Sequence, residues 1–191
     1  MKSPLWWHRW PCEIPLPRST KISRVPFALI QIPEVVRNAA GRHKVRQTLQ
    51  GVLSDWAQKP ATWIETPKGP IVRDPIREQP PFVSISYAAG EAWLGIALGE
   101  SLGVDAVSLE ALPDWEETAL LYLGEQKVDK IRDAENPPEA FAREWASMEA
   151  SLKRAGLSLS EHQNFPKSLI LTAKTKSCIV AVALSSNPSD K

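Results

Sequence analysis

The stretch from Phe141 to Gly156, FAREWASMEASLKRAG, decides the fold class, because one segment carries both a packing stripe and a chemical pair. Asn136 stands before Pro137, and Glu139 follows three residues later, so the sequence predicts a helix capped by Asn136 with proline in its first position. Gly156 closes it, and Lys153 and Arg154 fall in the last turn, where cations suit the carbonyl end. Phe141, Trp145, Met148, Leu152 and Ala155 recur at steps of four and three, which predicts one buried face. Glu149 lies at the edge of that stripe, with Lys153 one turn further on. The simplest reading of that spacing is a half-exposed ion pair worth a few tenths of a kcal/mol.

Strand-like runs surround this helix. Leu102-Gly103-Val104-Asp105 reads as a short apolar strand delivering a carboxylate at or near its end. Val83 to Ser86 and Trp93 to Leu98 read as two strands joined through Ala88-Ala89-Gly90. Their pattern is repeated by Leu169 to Thr172, the polar turn Lys174 to Ser177, and Val180 to Leu184. Each pair follows a helical stretch. The expectation is an α+β fold of two similar lobes, residues 1–100 and 101–191, with the strands of each packed on its own helix.

At 191 residues the chain is long enough for one sizeable domain or two small lobes. Hydrophobic residues make up 43% and charged residues 24%, an ordinary globular balance. A formal charge of +1 gives no sign of a nucleic-acid protein. Cys12 and Cys178 sit in no C-x-x-C pair and near no histidine pair, which argues against a disulfide framework or a zinc site. No apolar run approaches a membrane span, and the opening MKSPLWWHRWPCEIP is too polar and proline-broken for a secretory core, so the expected location is cytoplasmic.

In the first half, Trp6, Trp7 and Trp10 read as anchors of an extended arm covering the lobe behind it. Val25 to Ile32 reads as a strand and Glu34 to Trp56 as a helix. Arg37, Arg42, Lys44 and Arg46 make the first half of that helix basic. Two readings stand side by side: a solvated face, or a cluster that holds a phosphate through charge-assisted hydrogen bonds. Thr66 to Pro70 reads as a turn, and Leu109 to Lys130 as acidic and then helical.

Ile85-Ser86-Tyr87, then Gly103-Val104-Asp105, then Trp145-x-x-Met148-Glu149-Ala150-x-x-Lys153, resemble in order the motifs of the 4'-phosphopantetheinyl transferases. The similarity is to the two-lobed group typified by the enzyme that activates surfactin synthetase. Those members carry I-S-H-S, G-(I/V)-D-x-E and W-x-x-K-E-(A/S)-x-x-K. The resemblance implies lobes related by a pseudo-twofold axis, with the active site in the cleft between them. It implies transfer of the 4'-phosphopantetheine arm from coenzyme A to a serine of an acyl or peptidyl carrier protein, with Mg2+, by a monomer that uses neither nucleic acid nor membrane. Whether the carrier serves fatty-acid, polyketide or peptide synthesis is left open.

By that resemblance Asp105 and Glu149 are the metal ligands, and magnesium is commonly held by one or two carboxylates plus substrate phosphates. Glu149 is also the general base, and Lys153 neutralises phosphate charge. Arg42, Arg46, Lys68, Ser86, Tyr87 and Lys153 would contact coenzyme A, with Arg42 on its 3'-phosphate. Several positions depart from the pattern. Val107 stands where the second acid of D-x-E belongs, Tyr87 replaces the histidine, Met148 replaces the lysine before the glutamate, and Lys68 is displaced by one residue in Lys68-Gly69-Pro70. Each of the first three removes charge, so a second expectation stands beside the transferase: a degenerate relative that binds coenzyme A or a carrier without transfer.

Overall fold

A computed structural model describes residues 5–11, 25–57, 60–67, 69–73, 80–110, 112–161 and 164–185. The elements run β1 (His8–Arg9), β2 (Phe27–Ile32), α1 (Ala39–Ala57), β3 (Thr62–Thr66), β4 (Gly69–Arg73), β5 (Phe82–Ala88), β6 (Glu91–Ala97) and β7 (Gly103–Ser108). They continue with α2 (Trp115–Leu123), α3 (Glu125–Arg132), α4 (Pro137–Ala155), β8 (Leu169–Lys174) and β9 (Cys178–Leu184). This is a mixed α and β architecture.

The first sheet has the order β1-β2-β6-β5 and the second β7-β9-β8, while β3 and β4 form a separate hairpin. Among the described residues only β1 runs parallel to its neighbour. Each larger sheet sets its last strand in the middle, and in each a long helix precedes the closing hairpin.

Side chains alternate between faces along a strand, and the cores follow that period. Phe27, Leu29, Trp93 and Ala97 of the first sheet meet Val104, Ala106, Leu171, Val180 and Val182 of the second in one shared core. Ile30, Ile32, Leu94 and Ile96 point the other way, onto Val45, Leu49, Val52 and Leu53 of α1. Ile179, Ala181 and Ala183 point onto α4. The order of layers is therefore helix, sheet, sheet, helix. Strands β2 and β9 are buried along their whole length, consistent with their apolar sequences. The aromatic arm lies on the first sheet: Trp6 stacks on Phe27 with ring centroids 5.5 Å apart, and Trp7 meets Trp93 edge-on at 5.7 Å.

The ends of α4 are those its sequence predicts. The Asn136 side chain accepts the Glu139 backbone N–H, and Gly156 takes the left-handed conformation at φ 68°. The packing differs. Ala142, Ala146 and Ala150, spaced by four, form the face laid on the second sheet, whereas Phe141 and Trp145 turn towards α2 and α3. Ala155, expected in the buried stripe, is exposed. Small side chains let the helix lie close: a Cβ on Gly103 would stand 1.8 Å from the Ala150 carbonyl oxygen.

Two further boundaries are corrected. The first long helix begins at Ala39 rather than Glu34, because the Asn38 side chain accepts the Gly41 N–H and Glu34 sits at φ 56°, outside helical geometry. Asp105 is the third of six residues in β7, not its tip, because Val107 and Ser108 continue the ladder opposite Ile179 and Cys178. Among the described residues no helix is long and apolar enough to cross a membrane.

Candidate functional site

Strand β7 lies at the edge of its sheet, where backbone N–H groups would lack partners. Two serines of β5 supply them. Ser84 Oγ accepts the Val104 N–H at 2.9 Å, and Ser86 Oγ accepts the Ala106 N–H at 3.2 Å. The Ser86 hydroxyl donates onward to Asp105 Oδ1 at 2.8 Å. Ser86 and Asp105 are only 6% and 7% exposed, so this bond is a fixed part of the junction between the sheets.

Asp105 lies on the α4 face of β7, opposite to Val104 and Ala106. There Lys153 Nζ donates to Asp105 Oδ1 at 2.7 Å and to the Val104 carbonyl at 3.2 Å. The helix spacing suggested that Lys153 would pair with Glu149, but its ammonium reaches across to the strand instead. Glu149, one turn earlier on α4, is half-buried. Its pKa is raised above the ordinary 4.5, first by burial and then by the Asp105 charge, while Lys153 opposes the shift. Ser86, Asp105, Glu149 and Lys153 therefore share one locale built by β5, β7 and α4.

The second group sits on the other face of β5, where Tyr87 follows Ser86. Burial raises the Tyr87 pKa, and Arg46, Arg42 and Arg37 of the α1 region oppose it through their charges. Arg46 is engaged: its Nε and Nη2 donate to the two carboxylate oxygens of Glu65 at 2.5 and 2.7 Å. The Trp63 indole N–H donates to the same carboxylate at 2.8 Å. Lys68 lies outside the described residues.

The Asp105 charge reaches Glu149 and raises its pKa, while Asp105 Oδ1 is already engaged by Ser86 and Lys153. Among the described residues no group of three or more His, Cys, Asp or Glu side chains able to hold a metal is present. Val107 shows why: it shares the face of Asp105 but packs against Ala142, Ala146 and Ala150. A pocket of about 300 Å³ lies apart from both groups, between α3 and α4. Glu139 there binds Arg143 and Lys174, and Glu144 binds Lys127.

Sequence reading did not single out Ser84, Glu65 or Trp63. Ser84 was legible only in hindsight, as the partner of Ser86 two residues along a strand. Glu65 and Trp63 share that spacing, but neither signals a contact with a helix nineteen residues earlier in the chain. No family model matches this chain, and no curated protein is significantly similar to it.

Proposed function

We propose that this protein transfers the 4'-phosphopantetheine arm of coenzyme A to a carrier-protein serine. The observation that carries the reading is the convergence of Ser86, Asp105, Glu149 and Lys153 between β5, β7 and α4. Those residues stand where the sequence resembles the motifs of the transferase family. In this reading the chain has two lobes, residues 1–100 and 101–191, related by a pseudo-twofold axis. The order β2-β6-β5 within the four-stranded sheet parallels β7-β9-β8 of the three-stranded one, which supports it, and Ser86 comes from one lobe and the other three residues from the next.

Asp105 and Glu149 would hold Mg2+ together with pyrophosphate oxygens of coenzyme A. When bound, the ion neutralises charge that builds on the leaving 3',5'-ADP. Glu149 takes the proton of the carrier serine hydroxyl as general base. The serine oxygen then forms a bond to the phosphorus bearing the pantetheine arm, and the bond from that phosphorus to 3',5'-ADP breaks. Lys153 offsets phosphate charge, and Ser86 keeps Asp105 in place. Arg37, Arg42, Arg46 and Tyr87 form the seat for the other phosphates.

The packing of Val107 among alanines, with no third acid grouped with Asp105 and Glu149 among the described residues, favours a second reading: a relative that binds coenzyme A or a carrier without transfer. Incubation with apo carrier proteins of several kinds, coenzyme A and magnesium, followed by intact-mass measurement of the carrier, separates the two. One added phosphopantetheine arm supports transfer. Unmodified carriers throughout, with coenzyme A binding retained in calorimetry, support the binding protein.

A further inference from the structure

We propose that Glu65 is a displaceable latch on the phosphate seat: its carboxylate occupies the fork of Arg46 where a substrate phosphate group sits, and it leaves when that phosphate binds. The proposal rests on reading the Arg37–Arg42–Arg46 face as the seat for coenzyme A phosphates. Three features of the molecule lead to it. A carboxylate and a phosphate oxygen pair present the same bidentate geometry to a guanidinium, so one can stand in for the other. Glu65 takes that geometry in full, with contacts of 2.5 and 2.7 Å to Nε and Nη2. Its side chain is 55% exposed against 21% for Arg46, so the acid can swing into solvent while the arginine stays in its setting beside Tyr87.

The elements suit such an exchange. Arg46 is borne by α1, whose apolar side is fixed in the core by Val45, Leu49 and Val52. Glu65 is borne by the β3–β4 hairpin, a two-stranded sheet that joins neither larger sheet. The Trp63 indole N–H holds the same carboxylate from the same strand, steering it towards Arg46. The third guanidinium nitrogen, Nη1, is buried and has no hydrogen-bond partner among the described residues. Glu65 thus takes the Nε–Nη2 edge of the guanidinium, the edge that a phosphate oxygen pair takes in its place.

The consequence is competition. An exposed bidentate pair opposes an incoming anion by about twofold to fivefold in affinity. Glu65 would then hold the seat closed to single weak anions and yield to a ligand with several phosphates.

The test is calorimetric titration of inorganic pyrophosphate, 3',5'-ADP and coenzyme A into the full chain and its Glu65→Gln, Trp63→Phe and Arg46→Gln variants. Glu65→Gln is expected to tighten all three ligands by about twofold to fivefold. Trp63→Phe acts in the same direction by less, and Glu65→Gln added to Arg46→Gln brings no gain. Unchanged or weaker binding in Glu65→Gln overturns the latch and makes Glu65 a support for Arg46. Absence of anion binding in every variant overturns it as well. Tighter pyrophosphate with no coenzyme A binding keeps the latch and removes the transferase reading instead.

Discussion

Glu149 is the residue whose chemistry is most directly testable. Burial and the neighbouring Asp105 charge raise its pKa, so the folded protein binds a proton there that the unfolded chain releases at lower pH. Stability from this group is therefore present below the ordinary 4.5 and is lost as pH rises through the raised folded value. Glu149→Gln removes that penalty. Its melting temperature should exceed that of the parent at pH 7, with the gap closing as pH falls towards 4.5. Transfer activity should fall about a hundredfold or more in the same variant, the scale of a lost general base. A variant that is less stable at pH 7 or fully active would remove the assigned role. Ser86 makes a second residue-level case. Ser86→Ala strands the Ala106 N–H in a buried junction and takes a donor from Asp105, at a cost of about 1 to 3 kcal/mol measurable by denaturant unfolding.

At the scale of elements, α4 explains both what the sequence disclosed and what it hid. Its ends were legible because capping is local: Asn136, Pro137 and Gly156 specify them without reference to the rest of the chain. Its contact face was not. The large apolar side chains Phe141 and Trp145 draw the eye, yet they serve α2 and α3, and the sheet takes the alanines. Alanine carries too little hydrophobic signal to announce such a face; its value lies in the close approach it allows. Gly103 permits the same approach from the strand side. Gly103→Ala sets a methyl against the backbone of Ala150 and Arg154 and should destabilise by about 3 kcal/mol or more. Gly95→Ala meets only side-chain atoms of Val104 and Leu102 and should cost less. Equal losses in chemical unfolding would contradict this account of helix docking. The β3–β4 hairpin is the converse case: TWIET and GPIVR are short mixed runs that sequence reading did not take as strands, and the role of Glu65 there depends on Arg46 far away in the chain.

At the scale of the whole molecule, the two sheets share a core built from residues on both sides of position 100. Neither half buries its inner sheet face alone. Residues 1–100 and 101–191 expressed separately should each remain largely unfolded by circular dichroism, whereas the full chain should unfold in a single cooperative transition. Two well-separated transitions would show that the shared core is not what joins the halves. The hairpins β5–β6 and β8–β9 were visible in the sequence because in each two short apolar runs flank a small or polar turn. The mating of the sheets through serine hydroxyls on an edge strand was not, since Ser84 and Ser86 read as ordinary solvent-facing positions until β7 is set beside them.

The central claim is that this junction, where Asp105 of one sheet edge meets Glu149 and Lys153 of α4, performs group transfer. The most direct measurement is the intact mass of an apo carrier protein after incubation with coenzyme A, magnesium and either the parent chain or its Asp105→Asn and Glu149→Gln variants. The account predicts a carrier heavier by one phosphopantetheine arm with the parent and a carrier left unmodified with both variants. Equal labelling by all three proteins, or none by the parent with any carrier tried, would contradict it.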